Sequence, residues 1–162
     1  MPFFAVYLYA CMRAINAVPN LRTRVLEDGR VVEFDAIHAS ATILRADSTF
    51  GFAFIEYEDT LETFVEGFRV NKKHAQETKD PLDAPPRRDC IHCSALPWID
   101  FTAHREPYSG TSDSVPKLAF GKVAETNGRL EMSVGFTVDH ALVDGVHVGL
   151  FAERFQSELN AP

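Results

Sequence analysis

One junction near the end of the chain constrains the fold more than any other stretch. Residues 130–138 form a largely apolar run, and residues 146–159 form an amphipathic run with apolar positions at helical spacing. Between them lies the stretch from Asp139 to Gly145. We interpret this order as a strand, a tight turn and a helix. Such a turn can hold one side chain rigidly at the mouth of a cleft while both flanking elements bury their apolar faces.

His140 lies where this strand is predicted to end, and Asp144 and Gly145 follow it. Histidine is the side chain whose ordinary pKa, about 6.5, is nearest to neutrality, so it can accept a proton and return it. Asp hydrogen-bonds to neighbouring backbone and Gly tolerates unusual dihedral angles, so both suit a tight turn. The pattern H-x-x-x-D-G therefore indicates either a catalytic histidine or a histidine packed beside an Asp-Gly turn.

The composition is that of one globular domain without a nucleic-acid surface. The 162 residues suffice for a domain with a hydrophobic core, 46% of them are hydrophobic, and the net charge is −7. No Lys/Arg cluster exceeds two residues, which argues against nucleic-acid binding. We find no secretory signal pattern and no apolar run long enough to span a bilayer. We expect a single cytoplasmic domain over residues 1–162.

Three cysteines, Cys11, Cys90 and Cys93, bear on metal and redox chemistry. Cys90 and Cys93 have C-x-x-C spacing, but a zinc site would need two further ligands and there is no second pair. A redox motif would need a helix to begin after the first cysteine, whereas the neighbouring residues are typical of a strand. We expect small, buried or half-buried cysteines in a reducing compartment, and no metal site.

The remaining patterns predict a mixed sheet with helices packed on it, in the α+β class. Helices are expected over residues 3–18, 61–77 and 146–159. The last helix is expected to bury Val148, Phe151, Ala152, Phe155 and Leu159. Strands are expected over residues 21–26, 30–34, 40–44, 52–57, 90–95, 99–102, 118–124 and 130–138. Residues 78–89 and 103–115 are predicted loops, and Asp28-Gly29 and Asn127-Gly128 are predicted hairpin turns.

Four stretches, in order, resemble the chloramphenicol acetyltransferase family. They are residues 16–22, 28–35, 94–102 and 140–149. The third, SALPWIDFT, is similar to the family motif S-A-x-P-W-x-x-F-x, and the fourth, HALVDGVHVG, is similar to H-A-V-C-D-G-F-H-V-G. The last two motifs together, about as far apart as in the family, are specific. The resemblance covers essentially the whole chain and implies the CoA-dependent acyltransferase fold, an α/β sandwich.

The resemblance also implies an activity and a set of site residues. The family transfers the acetyl group of acetyl-CoA, a cosubstrate and not a bound cofactor, to a hydroxyl of chloramphenicol or a similar acceptor, and thereby confers antibiotic resistance. Its members are homotrimers with active sites at subunit interfaces. By motif, His140 is the general base, Ser94 donates a hydrogen bond to the tetrahedral intermediate, and Trp98 lies toward the CoA channel. Asp144 and Gly145 are expected to hold the shape of the site, Asp144 by pairing with an arginine.

The chemistry of these residues agrees with the implied roles. An acceptor hydroxyl is a poor nucleophile until a base takes its proton as the new C–O bond forms. The tetrahedral intermediate then carries an oxyanion, and one fixed donor in a dry site typically supplies ~2.7–4 kcal/mol. The residues alone leave two other interpretations open. Ser94 can be an ordinary strand serine, and Trp98 can be a core residue.

Three departures from the family pattern are visible. The family has an N-terminal strand and helix before the position of Pro2, and these supply the arginine partner of Asp144 and much of the acceptor pocket. They are missing here, either because the chain is a short variant or because it is a fragment. Ala119 aligns with a family threonine that helps to bind an ordered water, which predicts a slower reaction. The Pro- and Arg-rich loop at residues 78–89 leaves the acceptor undetermined.

Two alternative functions remain at this point. One is an acyltransferase core of the 2-oxoacid dehydrogenase type, which shares the fold and has an Asp before its histidine, as Asp139 precedes His140. The absence of a lipoyl domain and the motif that begins at Ser94 disfavour it. The other is a non-catalytic, acetyltransferase-like module that binds a ligand or only assembles. Retention of both His140 and Ser94 disfavours this one, because binding alone needs no base.

Overall fold

The computed structural model describes residues 1–78, 87–107 and 113–161. The chain begins with helix α1 (Phe3–Asn16), which is followed by a short 3-10 turn (Pro19–Arg22). The prediction that the first helix ends before Pro19 is confirmed. Eight residues of α1 are buried, among them Leu8, Met12 and Ile15, so this helix forms the centre of the core.

A small hairpin follows, with strands β1 (Thr23–Val25) and β2 (Val31–Glu33) in antiparallel register. Gly29 in its turn has a φ of +81°, a backbone conformation that favours glycine. The hairpin predicted from Asp28-Gly29 is therefore confirmed, with shorter strands than expected. It forms a two-stranded sheet separate from the main one.

The main sheet has five strands and mixed directions. The remaining strands are β3 (His38–Leu44), β4 (Phe50–Ile55), β5 (Cys90–Ala95), β6 (Lys117–Phe120), β7 (Ala124–Thr126), β8 (Arg129–Glu131) and β9 (Val134–Thr137). The order in the main sheet is β4-β3-β5-β6-β9. β5 is parallel to both of its neighbours, β3 and β6, and the other two pairs are antiparallel. The predicted mixed sheet is confirmed.

Two strand predictions need correction. The long hairpin expected from residues 118–124 and 130–138 is divided: β6 pairs with β9 in the main sheet, and β7 pairs with β8 around Asn127-Gly128. The strand expected over residues 99–102 does not form. After Pro97 the chain turns, with the Ile99 amide donating to the Leu96 carbonyl and the Ile99 carbonyl accepting from the Lys122 amide. These bonds turn the segment across the end of β6 and keep it out of the sheet.

Helices α2 (Leu61–Glu77) and α3 (Gly145–Leu159) pack with α1 on one face of the sheet. Their apolar residues at helical spacing enter the core, including Phe64 and Phe68 of α2 and Phe151 and Phe155 of α3. The three predicted helices are therefore confirmed, with α2 at its predicted bounds.

The burial predicted for the last helix is wrong at its outer positions. Ala152 and Leu159 are exposed and Val148 is only partly buried. These residues, together with Phe3, line an apolar groove of about 1290 Å³ beside the edge strand β9. The periodicity of α3 correctly identified an apolar face, but among the described residues no element packs on the outer part of that face.

The two faces of the main sheet differ sharply. Alternate residues such as Ala41, Ile91 and Leu118 point to the helices and are buried, as the two-residue period of strands requires. In the described part of the chain no helix covers the opposite face, and large apolar side chains of β3 and β4 lie there in contact with solvent. These are Leu44, Phe50 and Phe52. We call this surface the open face.

A buried guanidinium ties the first hairpin to the start of β5. Arg24 is 0% exposed, and its nitrogens donate to four backbone carbonyls at 2.7–2.9 Å. The acceptors are the carbonyls of Leu21, Thr23, Arg88 and Cys90. Desolvation lowers the pKa of Arg24 to about 10. The strand that carries Ser94 is therefore anchored at its first residue.

The three cysteines are all free and buried, as predicted. Burial raises the pKa of Cys90 to about 11, so its thiol is a poor nucleophile. Within the described part of the chain, no helix is long and apolar enough to cross a membrane. The same residues contain no group of three or more His, Cys, Asp or Glu side chains arranged to hold a metal ion.

Candidate active site

Ser94 lies at the centre of the open face. The strand registers place five residues in one row across the sheet, and all five belong to its open face. In order from β4 to β9 they are Phe52, Thr42, Ser94, Ala119 and Gly135. Ser94 thus has a hydroxyl neighbour on one side and only small residues on the other, a position from which its side chain can contact a bound molecule.

The Ser94 hydroxyl is held by Thr42. Their oxygens are 2.9 Å apart, and either group can be the donor. When Thr42 donates, the Ser94 proton is free to point to a ligand. Ser94 is half-buried, so a hydrogen bond from it would be only partly screened by water. This is the geometry that a donor to an oxyanion requires.

His140 projects from a turn that hydrogen bonds define closely. The Asp139 carboxylate accepts from the Ala141 amide at 2.9 Å, and the Asp139 carbonyl accepts from the Leu142 and Val143 amides. The Asn20 side chain, just after α1, donates to the Leu142 carbonyl at 2.8 Å. The imidazole is exposed at the tip of this turn and is therefore accessible to a substrate.

Asp144 caps helix α3 instead of pairing with an arginine. Its carboxylate accepts from the Val146 amide at 3.0 Å, and Nδ1 of His147 accepts from the Asp144 amide at 3.1 Å. Within residues 1–78, 87–107 and 113–161, the Asp144 carboxylate has no Lys or Arg partner, and Nδ1 of His147 lies 3.1 Å from its Oδ1. His147 is thus a capping residue. Gly145 starts α3 without a positive φ, so this turn does not use the conformational freedom of glycine.

The turn with His140 follows the end of β9 that lies level with the start of β6. Thr137 pairs there with Lys117, and Val143 then enters the core under the helices. Ser94 is two residues further along β5 and faces away from that core. Among the described residues, no hydrogen bond connects His140 with Ser94. The described residues therefore show no direct link between the two predicted catalytic side chains.

Trp98 lies in the turn that follows β5. Its side chain is 69% exposed, which excludes the interpretation as a core residue. An exposed indole beyond the carboxyl end of β5 is available to a ligand, since tryptophan offers a large apolar surface and one N–H donor.

The structure adds two residues that the sequence patterns did not single out. His104 lies over Gly135. A Cβ added to Gly135 would be only 3.1 Å from the Cβ of His104, so this close approach favours glycine. Nδ1 of His104 is 3.6 Å from a Glu106 oxygen. His104 thus lies on the open face in the row of Ser94, with Glu106 beside it. Desolvation lowers the pKa of His92 below its ordinary value. The nearby carboxylates of Asp113 and Glu106 raise this pKa, but by less than desolvation lowers it.

No local signal could have identified these two residues. They belong to a segment without regular structure, and their position depends on Gly135, which is 31 residues from His104 in sequence. Thr42 was similarly invisible, because its role depends on the pairing of β3 with β5. Asn20 lay within one of the four resembling stretches, but nothing in that stretch indicated a contact with the His140 turn.

The fold is that of a CoA-dependent acyltransferase-type domain. A truncated catalytic core of the 2-oxoacid dehydrogenase multienzyme complex from Thermoplasma acidophilum superposes with a TM-score of 0.76, at 15% identity over 99% of this chain and 75% of that one. A likeness at this level of identity shows the fold alone. The architecture expected from the sequence is confirmed by it.

The chain belongs to the chloramphenicol acetyltransferase family, whose family model matches residues 1–156. A solved chloramphenicol acetyltransferase superposes with a TM-score of 0.91 and 31% identity, covering 99% of this chain and 78% of that chain. Chloramphenicol acetyltransferase 3 of Escherichia coli is 26% identical over 98% of this chain and 76% of its own length. The resemblance noted in the sequence is confirmed, and the protein is an acyltransferase.

Proposed function

We propose that the protein transfers the acetyl group of acetyl-CoA to a hydroxyl of chloramphenicol or a similar small acceptor. Family membership supports the reaction class. The observation that carries the assignment of roles is the Ser94–Thr42 pair on the open face, together with an exposed histidine on a rigid turn. The non-catalytic alternative requires neither feature.

In this proposal His140 is the general base. Its imidazole takes the proton of the acceptor hydroxyl while the hydroxyl oxygen forms a bond with the thioester carbonyl carbon. The carbonyl oxygen becomes an oxyanion, which the Ser94 hydroxyl stabilises by donating a hydrogen bond. The intermediate then collapses, the C–S bond breaks, and the CoA sulfur receives the proton from the imidazolium. The products are the acetyl ester and CoA. We assign Trp98, exposed beyond β5, to the CoA side of the site.

We further propose that the protein works as a homotrimer with the site between subunits. Among the described residues no hydrogen bond joins His140 to Ser94 within one chain, and a neighbouring copy that supplies one of the two groups would complete the site. The exposed apolar side chains of Leu44, Phe50 and Phe52 give the open face a surface that association would bury. In a cyclic trimer each interface uses the same two surfaces, so three equivalent sites follow.

The reaction is tested by CoA thiol release from acetyl-CoA in the presence of chloramphenicol. The wild type should release thiol only when the acceptor is present, and His140→Ala should lose ~10²–10⁴-fold in rate, since this is the usual contribution of a general base. His74→Ala, in α2, is the matched control and should retain the wild-type rate. Equal rates in wild type and His140→Ala would contradict the assignment of the base.

The interfacial site is tested by mixing two inactive variants. Ser94→Ala and His140→Ala subunits each lack one group, but an interface between them can contain both intact residues. With random assembly about a quarter of the sites should be restored in a cyclic trimer. Coexpressed variants that elute as a trimer and remain inactive would show that both groups must come from the same chain. A monomer with full activity would reject the trimer directly.

A further inference from the structure

The Glu106 carboxylate is partly shielded from water and, among the described residues, lacks a strong protein partner. Its side chain is 19% exposed, and within the described part of the chain its only close polar contact is the His104 imidazole at 3.6 Å. That distance exceeds a hydrogen bond. An ionised carboxylate accepts hydrogen bonds at about four positions, and a buried one without donors is costly. Such a group is suited to accept hydrogen bonds from a ligand.

The pair has a defined place relative to Ser94. His104 covers Gly135, which is two strands from Ser94 in the same row, or roughly 10 Å at the usual strand spacing. Ala119, between them on the same face, is fully buried, so the covered part of the open face begins at the strand next to Ser94. On the other side of Ser94, Thr42 and the 40% exposed Phe52 leave the face open. The pair therefore forms one wall beside Ser94.

Among the described residues, Glu106 forms no ion pair with a lysine or an arginine. Lys117, whose pairing with His92 in the register places it nearby, forms an ion pair with Asp113 at 2.7 Å. Desolvation lowers the pKa of His92, so this imidazole is neutral at neutral pH. A ligand that binds between Ser94 and the wall therefore meets a Glu106 carboxylate that no described lysine or arginine pairs with.

We propose that the His104–Glu106 pair selects the acceptor, and that it favours a hydroxyl compound with a cationic amino group. The ammonium donates hydrogen bonds to Glu106 while the reacting hydroxyl lies near Ser94. A charge-assisted hydrogen bond in a partly desolvated wall gives more discrimination than a neutral one. This inference rests on the proposed acetyl transfer, because the row of Ser94 defines where the acceptor binds.

The test compares chloramphenicol with its deacylated amine, which has an ammonium in place of the neutral amide and the same hydroxyls. The ratio of kcat/KM for the amine to that for chloramphenicol should fall at least tenfold in Glu106→Gln. Glu125→Gln, which removes an exposed carboxylate from β7, is the control and should leave the ratio unchanged. Mapping the acetyl group of the product to oxygen confirms that the hydroxyl reacts.

A binding measurement separates this inference from the proposed function. Titration calorimetry with the amine, without acetyl-CoA, should show at least tenfold weaker binding to Glu106→Gln than to the wild type. Glu106→Asp, which retains the negative charge, should bind the amine more tightly than Glu106→Gln but more weakly than the wild type. Chloramphenicol acetylation that depends on His140, with the ratio and the binding unchanged in Glu106→Gln, overturns the inference and leaves the reaction standing. Binding that depends on Glu106 without any acetyl transfer rejects the reaction but supports cation recognition.

Discussion

The hydroxyl oxygens of Ser94 and Thr42 lie 2.9 Å apart on adjacent parallel strands of the open face. A serine hydroxyl that rotates freely must be oriented each time an oxyanion forms, whereas a preorganised donor avoids that cost. Thr42 can supply this orientation by donating to Ser94, which leaves the Ser94 proton for the intermediate. The relationship gives Thr42 a positioning role in the proposed reaction.

We expect Ser94→Ala to lower kcat by ~10²–10³-fold, the usual effect of removing one oxyanion donor. Thr42→Val, which retains the shape and removes the hydroxyl, should lower kcat by a smaller factor and leave KM for acetyl-CoA nearly unchanged. Steady-state kinetics measure both effects. Ser157→Ala, in α3, removes a remote exposed hydroxyl and serves as control. A Thr42→Val enzyme with wild-type kcat would show that Ser94 needs no such partner.

Asp144 should contribute to stability and to activity by separate routes. Its carboxylate caps α3, and replacing an N-cap Asp by Ala typically costs about 1 kcal/mol. The same residue follows the His140 turn, so Asp144→Ala should also lower kcat by loosening that turn. Asp144→Asn retains a capping oxygen and should keep most of the stability.

Urea denaturation and thiol-release kinetics on the two Asp144 variants measure these effects. Equal stability of Asp144→Ala and wild type would show that the cap is energetically silent. Equal destabilisation of Asp144→Ala and Asp144→Asn would show instead that the negative charge matters more than the capping oxygen.

The buried Arg24 gives a larger expected effect. Arg24→Met would leave four backbone carbonyls without their donor, and each unsatisfied buried group costs ~1–3 kcal/mol. We expect a loss of about 3 kcal/mol in the free energy of unfolding, allowing for partial rearrangement. Arg24→Lys should recover only part of it, because an ammonium cannot reach four carbonyls in the planar arrangement of a guanidinium. Arg69→Met, an exposed position in α2, is the control.

Local sequence patterns predicted the helices and most strands, but not the contacts between distant segments that position the site residues. The strand with Ser94 and the helix after Gly145 follow from apolar spacing and from turn residues, which act over a few positions. The division of the last hairpin does not, because it depends on Ile99 forming a hydrogen bond with Lys122 across the end of β6. The roles of Thr42 and Glu106 likewise depend on strand register and on a close approach at Gly135, and neither leaves a trace in the neighbouring sequence.

The environment of His38 predicts a pH dependence of stability. Its Nδ1 accepts from the Tyr57 amide at 2.9 Å, so the neutral imidazole has a specific role in the fold. Desolvation lowers the pKa of His38 and the Arg87 guanidinium acts in the same direction, whereas Asp89 opposes them. More distant opposing charges come from two further carboxylates, Glu56 and Glu58. Burial outweighs these carboxylates, so the native state disfavours the imidazolium.

A histidine with a lowered native pKa binds its proton more weakly in the folded than in the unfolded protein. Below the ordinary pKa of about 6.5 the unfolded chain takes up more protons, so the stability contributed by His38 falls as the pH drops through this range. Asp89, whose pKa is lowered by Arg87, titrates at more acidic pH and does not interfere.

We expect the free energy of unfolding to decrease between about pH 7.5 and pH 5, and to decrease less in His38→Gln. The glutamine amide oxygen can accept from Tyr57 but does not titrate, so this variant removes the protonation and retains the hydrogen bond. Urea denaturation at several pH values gives both profiles. The other histidines contribute equally to the two proteins, and their effect cancels in the difference. Parallel profiles would show that the protonation of His38 is not coupled to folding.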